Sequence, residues 1–67
     1  MSITLNGKDV SLQSGVDTVD KLLSHYQLEN RIVIIEVNKV IILKENYKTT
    51  SLSHGDVVEI IHFVGGG

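Results

Sequence analysis

Ser2-Ile3-Thr4-Leu5-Asn6-Gly7-Lys8-Asp9-Val10-Ser11-Leu12 opens the chain, and its reading decides how the fold begins. Ile3 and Leu5 alternate with Thr4 and Asn6, the period of a strand with one buried face. Asn6-Gly7 follows, and it is the strongest short hairpin signal. Both central residues of a type I′ turn need positive φ, which Asn and Gly tolerate. Val10 and Leu12 resume the alternation on the far side. Residues 2–6 and 9–13 therefore read as a β-hairpin.

Outward from that hairpin, Ser14-Gly15 breaks the pattern. Asp17 reads as a helix N-cap, since its carboxylate can accept from the free amides of a first turn. Asp20 adds negative charge at the positive end of the helix. Val19, Leu22, Leu23 and Tyr26 fall at i, i+3, i+4 and i+7, one face of a helix over 18–26. So short a helix holds only when packed on a sheet. Ile32–Val37 is an apolar run broken by Glu36, Asn38-Lys39 reads as a turn, and Val40–Leu43 reads as a shorter strand. Lys44–Ser53 is polar apart from Tyr47 and Leu52 and reads as a long connection. His54-Gly55-Asp56 reads as a turn, and Asp56–Val64 as a last strand running into Gly65-Gly66-Gly67. The order is β-β-α-β-β-β in one domain.

Composition narrows the chemistry. The chain has 67 residues, 42% of them hydrophobic, and no cysteine or proline. A domain this size buries only about 60% of its unfolded surface. The lack of cysteine excludes a disulfide framework, a thiolate metal site and a cysteine nucleophile. Eight acids against six bases give a net charge of −2. With no basic run, nucleic acid is not an expected partner. The apolar runs are too short to span a bilayer, and the N-terminus lacks the regions of a signal peptide. A cytoplasmic location is the expectation. His25, His54 and His62 are widely spaced, with no ligand-like interval, so no metal is expected. The serines lack a nucleophile-elbow context, and no acidic pair suggests a catalytic dyad. The chain reads as a non-enzyme.

What remains is the tail. Glycines at a chain end are often tolerated simply because termini are loosely held. They also have a physical use. Without Cβ atoms, Gly65, Gly66 and Gly67 can thread a narrow cleft, leaving the terminal carbonyl uncovered. Three residues reach about 10 Å when extended. That is enough to carry a carboxylate from the folded body into a partner's active site.

Taken together, Leu5-Asn6-Gly7-Lys8, the helix with Val19, Leu22 and Leu23, Ile35-Glu36-Val37-Asn38, and the closing stretch from Gly55 to Gly67 carry a resemblance. The chain resembles the ubiquitin-like β-grasp sulfur carriers, above all the thiamine-biosynthesis (ThiS) type, over essentially its whole length. Family members often have a proline shortly after the turn at Asn38, where this chain has Leu43-Lys44. The resemblance implies an α+β fold, with a mixed sheet of about five strands and one helix packed across it. It divides the chain into a β-grasp domain over 1–64 and a flexible glycine tail over 65–67. It also implies that a ThiF-type adenylating enzyme uses ATP to activate the Gly67 carboxylate. Sulfur from a cysteine desulfurase or another donor then gives a thiocarboxylate, and thiazole synthase takes the sulfur. No cofactor is bound by the carrier itself, ATP belonging to the activating enzyme, and a monomer is expected. With no cysteine in the chain, the terminal carboxylate is the natural place to hang sulfur. The small subunit of molybdopterin synthase and a protein-conjugating modifier share this tail logic and are the alternatives.

Strand parity supplies a docking surface. Glu59 should face solvent, and Val57, Ile61 and Phe63 share its parity, while Val58 and Ile60 point to the helix. Glu36 shares parity with Ile32 and Ile34, while Val33, Ile35 and Val37 point inward. Ile32, Ile34, Ile61 and Phe63 thus read as an apolar patch on the outer sheet face, next to the tail. Contiguous exposed apolar surface marks interaction sites.

Overall fold

The computed structural model describes residues 1–62. The readings that fall on Phe63, Val64 and Gly65–Gly67 lie outside the described residues. Strands β1 (Ser2–Leu5) and β2 (Lys8–Ser11) form the opening hairpin, and helix α1 (Val19–His25) follows. Then come β3 (Val33–Val37), β4 (Val40–Ile42), a single 3-10 turn at Lys44–Asn46, and β5 (Val57–His62). The five strands make one mixed sheet in the order β2-β1-β5-β3-β4. β5 is central, parallel to β1 and antiparallel to β3. This is the β-grasp arrangement.

Both tight hairpins are built on asparagine. Asn6 and Gly7 have φ of 50° and 83°, and Asn38 and Lys39 have φ of 52° and 69°. Each pair links strands in direct register, Leu5 with Lys8 and Val37 with Val40. Positive φ at both central residues is the type I′ geometry, whose twist matches that of paired strands. Lys39 occupies a conformation that disfavours any side chain with a Cβ.

The helix has one buried side, with Val19, Leu22 and Leu23 each almost fully inaccessible. They pack with Ile3, Leu12, Ile35, Val37, Leu52, Val58 and Ile60 into a single core, and no polar side chain among the described residues is buried with them. Two readings of this helix are corrected. The N-cap is Thr18, not Asp17. Thr18 has extended backbone, and its hydroxyl accepts from the Lys21 amide and donates to the Asp20 carboxylate. Asp17 lies one residue too early and instead pairs with the Lys21 ammonium at 3.1 Å. Tyr26 is not part of the buried face. It is the C-cap and is 39% exposed, because Gln27 turns to φ 60° and ends the helical path.

The connection over Lys44–Ser53 is more ordered than its polarity predicts. Beyond the 3-10 turn, Ser51 forms a bridge with Thr18. The amides of Val19 and Leu52 bond to the carbonyls of Thr50 and Asp17 at 3.1 and 2.8 Å. These bonds seat Leu52 in the core and fix the helix start against the segment leading to β5. Ile32 precedes β3 rather than belonging to it, and β4 ends at Ile42.

Candidate functional site

Two surfaces bear on function: the end of β5, which leads to the tail, and the outer face of the sheet. β5 is held from both sides. On one side the Thr4 and Asn6 amides donate to the carbonyls of Asp56 and Val58, each at 2.9 Å. β1 then turns away at Asn6-Gly7, and the Asn6 side chain takes over, its Oδ1 accepting from the Ile60 amide at 2.8 Å. On the other side β3 pairs with β5 from Val37–Val58 through Val33–His62. Asn38 clamps the base of β5. Its amide donates to the Val57 carbonyl at 2.7 Å, its Oδ1 accepts from the Val57 amide at 2.9 Å, and its Nδ2 donates to Asp56 at 3.0 Å. Each turn asparagine thus does double work, shaping a hairpin and anchoring the strand that carries the chain end.

The Asn6 anchor can be isolated. Asn6→Gly keeps the positive φ and removes only the side-chain acceptor, leaving the Ile60 amide unpaired. The expected cost is about 1–3 kcal/mol, read as a lower midpoint in chemical denaturation. An unchanged midpoint would show that the bond contributes nothing.

On the outer face, Ile34 and Ile61 stand directly opposite each other across β3 and β5, as parity predicts. Ile61 is 46% exposed and Ile34 half-buried. Glu36 and Glu59 form the next pair in register, and Ile41 on β4 stands beside Glu36. Ile41 is 61% exposed. It belongs to this surface but escapes a sequence reading, because Val40–Leu43 is apolar at every position and shows no alternation. Ile32 is 77% exposed but lies before the strand. It borders an open groove of about 670 Å³ on the helix side, together with Leu23, Leu28 and Tyr47. The structure therefore brings Ile34 and Ile61 together and sets Ile32 apart from them, while Phe63 lies outside the described residues. The groove's rim mixes acids and bases (Asp20, Arg31). Among the described residues no three His, Asp or Glu gather as a metal set, and no helix is long and apolar enough to cross a membrane.

The model of the ThiS family matches residues 2–67. The chain belongs to the ThiS family. It is 55% identical over 97% of its length to the sulfur carrier protein ThiS of Bacillus subtilis, covering 98% of that protein. A thiamine biosynthesis protein (ThiS) from Geobacter metallireducens has the same fold, with a TM-score of 0.83 at 32% identity over 100% of both chains. The whole chain also matches, at 33% identity, a segment making up 20% of a protein named thiazole synthase from Paramagnetospirillum magneticum. The ThiS family accounts for the architecture described above, a bare β-grasp body whose sheet ends in the strand that leads to the glycines.

Proposed function

We propose that this chain, a ThiS-family sulfur carrier of thiamine biosynthesis and not an enzyme, carries its sulfur on the terminal carboxylate of Gly67. The observation that carries the reading is the full-length likeness to the Bacillus carrier, joined to a chain with no cysteine that ends in Gly65-Gly66-Gly67. In the proposed cycle a ThiF-type enzyme brings ATP to the carboxylate. A carboxylate oxygen attacks the α-phosphorus, pyrophosphate leaves, and an acyl adenylate forms. A sulfur nucleophile from a cysteine desulfurase or another donor attacks the carbonyl carbon. AMP leaves; sulfide gives the thiocarboxylate directly, whereas a donor persulfide gives an acyl disulfide that a second thiol cleaves at the donor's sulfur, releasing the thiocarboxylate and leaving a disulfide on the donor. The sulfur then passes to the thiazole being built by thiazole synthase. The carrier holds no cofactor of its own, acts as a monomer, and works in the cytoplasm, where ATP and the donor are available.

The roles divide along the fold. The domain over 1–64 supplies recognition, and the tail over 65–67 supplies the reacting group. Gly65 and Gly66 keep the approach to the carbonyl free of side chains. Ordering such a tail in a cleft costs about 1–2 kcal/mol per residue, so contacts of the body must offset it. The outer-face patch, with Ile34 and Ile61 at its centre and Ile41 on the neighbouring strand, provides apolar area for that purpose. The match to part of a thiazole synthase supports that enzyme as the acceptor. A molybdopterin-synthase role would call for a different acceptor, and a conjugating modifier would end on a lysine.

The test is sulfur transfer. Carrier bearing the thiocarboxylate, mixed with thiazole synthase and its co-substrates, is expected to return to the carboxylate form with loss of one sulfur as thiazole appears. Thiocarboxylate that persists while the synthase is shown to be active on another carrier would contradict the proposal. An adduct of the carrier on lysine would favour conjugation.

A further inference from the structure

The outer face of the sheet has two unlike halves. On β1 and β2 the cross-strand pairs satisfy each other: the Ser2 and Ser11 hydroxyls lie 3.4 Å apart, and the Thr4 hydroxyl donates to Asp9 at 3.4 Å. On β5, β3 and β4 the face is apolar apart from one pair, Glu59 directly opposite Glu36. Like charges in register across antiparallel strands repel and destabilise the sheet. The one ion pair among the described residues, Lys21–Asp17, is on the helix and relieves neither carboxylate. Ile34 and Ile61 form the neighbouring outward pair, and Ile41 on β4 stands opposite Glu36. Two half-buried glutamates thus stand opposite each other, neither in an ion pair with a described residue, beside the exposed Ile41 and Ile61.

We propose that this half of the face is docked by a protein surface that sets an arginine guanidinium between Glu36 and Glu59 and seats apolar side chains on Ile34, Ile41 and Ile61. The proposal deepens the carrier reading and rests on it, the partner being an enzyme that works on Gly67. Charge and shape select the occupant. A second copy of this chain would bring the same two carboxylates against the first pair and be repelled. A metal ion would find two carboxylates and no third ligand among the described residues. A guanidinium is planar, carries its donors in a fork, and is weakly hydrated, so it can bridge adjacent carboxylates among apolar side chains where an ammonium would lose more hydration. Arginine and apolar side chains are also what interface centres favour. The repulsion in the free carrier then becomes attraction in the complex, so docking gains at the expense of the carrier's own stability.

That trade is the signature to measure. In the double variant Glu36→Gln and Glu59→Gln the side chains keep their shape and lose their charge. The free variant is expected to melt at a higher temperature than the wild type. Its Kd is expected to weaken at least about tenfold toward the ThiF-type adenylating enzyme, the thiazole synthase, or both. The dependence of that Kd on salt should flatten, because the charge pair is gone. Weakening toward one enzyme alone supports the proposal and identifies the one that bears the guanidinium. Unchanged affinity and unchanged salt dependence toward both enzymes, with wild type loaded normally, would overturn the docking proposal and leave the carrier reading standing. A lower melting temperature would also overturn it, by removing the repulsion. A wild type that neither enzyme can load or unload would instead overturn the carrier reading and the proposal with it.

Discussion

Removal of Gly67 is expected to abolish activation by the adenylating enzyme while leaving the thermal unfolding of the domain in place. The two halves of this result come from different parts of the chain. Among the described residues, 1–62, ten side chains form the core and five strands form the sheet, all of them upstream of the deletion. The chemistry has the opposite dependence. The reacting carboxylate moves back by one residue, about 3.3–3.6 Å along an extended chain. Misplacement of a reacting atom by even 1 Å can cost on the order of a hundredfold in rate. Pyrophosphate exchange driven by the adenylating enzyme should therefore fall to background with the truncated carrier, with the melting temperature unchanged. A truncated carrier that is still adenylated would show that the tail length does not matter and would sink the assignment of Gly67.

The second large effect is on stability. Leu22→Ala is expected to cost about 2–5 kcal/mol, the range for emptying a fully buried leucine site. Leu22 is completely inaccessible, at the centre of the helix face that covers the sheet. At roughly 0.05–0.15 kcal/mol per residue, a chain this short has only about 3–10 kcal/mol in total. The variant should therefore lose a large share of its stability and denature well before the wild type. Ser24→Ala, on the exposed side of the same helix, serves as the control and should lie within about 0.5 kcal/mol of the wild type. Denaturation midpoints check both. A small loss at Leu22 would mean that the helix is not the lid of the core.

The parts of this fold legible in the sequence are those in which a local pattern and the tertiary structure agree. Asn6-Gly7 marks a hairpin because its backbone requirement is local. Val19, Leu22 and Leu23 mark the helix face because the same spacing that puts them on one side also buries them. Glu36 and Glu59 interrupt apolar strands and so fix parity, and parity correctly sets Ile34 and Ile61 on the outer face. Where several residue types fit equally well, the reading fails. Asp17 and Thr18 are both good caps, and only the backbone path decides for Thr18. Tyr26 continues the helical spacing, but the helix ends beneath it. Val40–Leu43 carries no alternation, which hides Ile41. The order in Lys44–Ser53 comes from backbone bonds to Asp17, Thr18 and Val19, partners distant in sequence. The second roles of Asn6 and Asn38 are equally hidden, because the amides they cap, at Ile60 and Val57, lie 54 and 19 residues away.

The central claim is that sulfur rides on the carboxylate of Gly67. The most direct measurement is the intact mass of the purified carrier after incubation with a ThiF-type adenylating enzyme, ATP and a sulfur donor, followed by fragmentation to locate the change. The expected result is a single mass increase corresponding to one oxygen replaced by sulfur, confined to Gly67. An unmodified carrier, with the enzyme shown to be competent on another substrate, or sulfur found on any other residue, would contradict it.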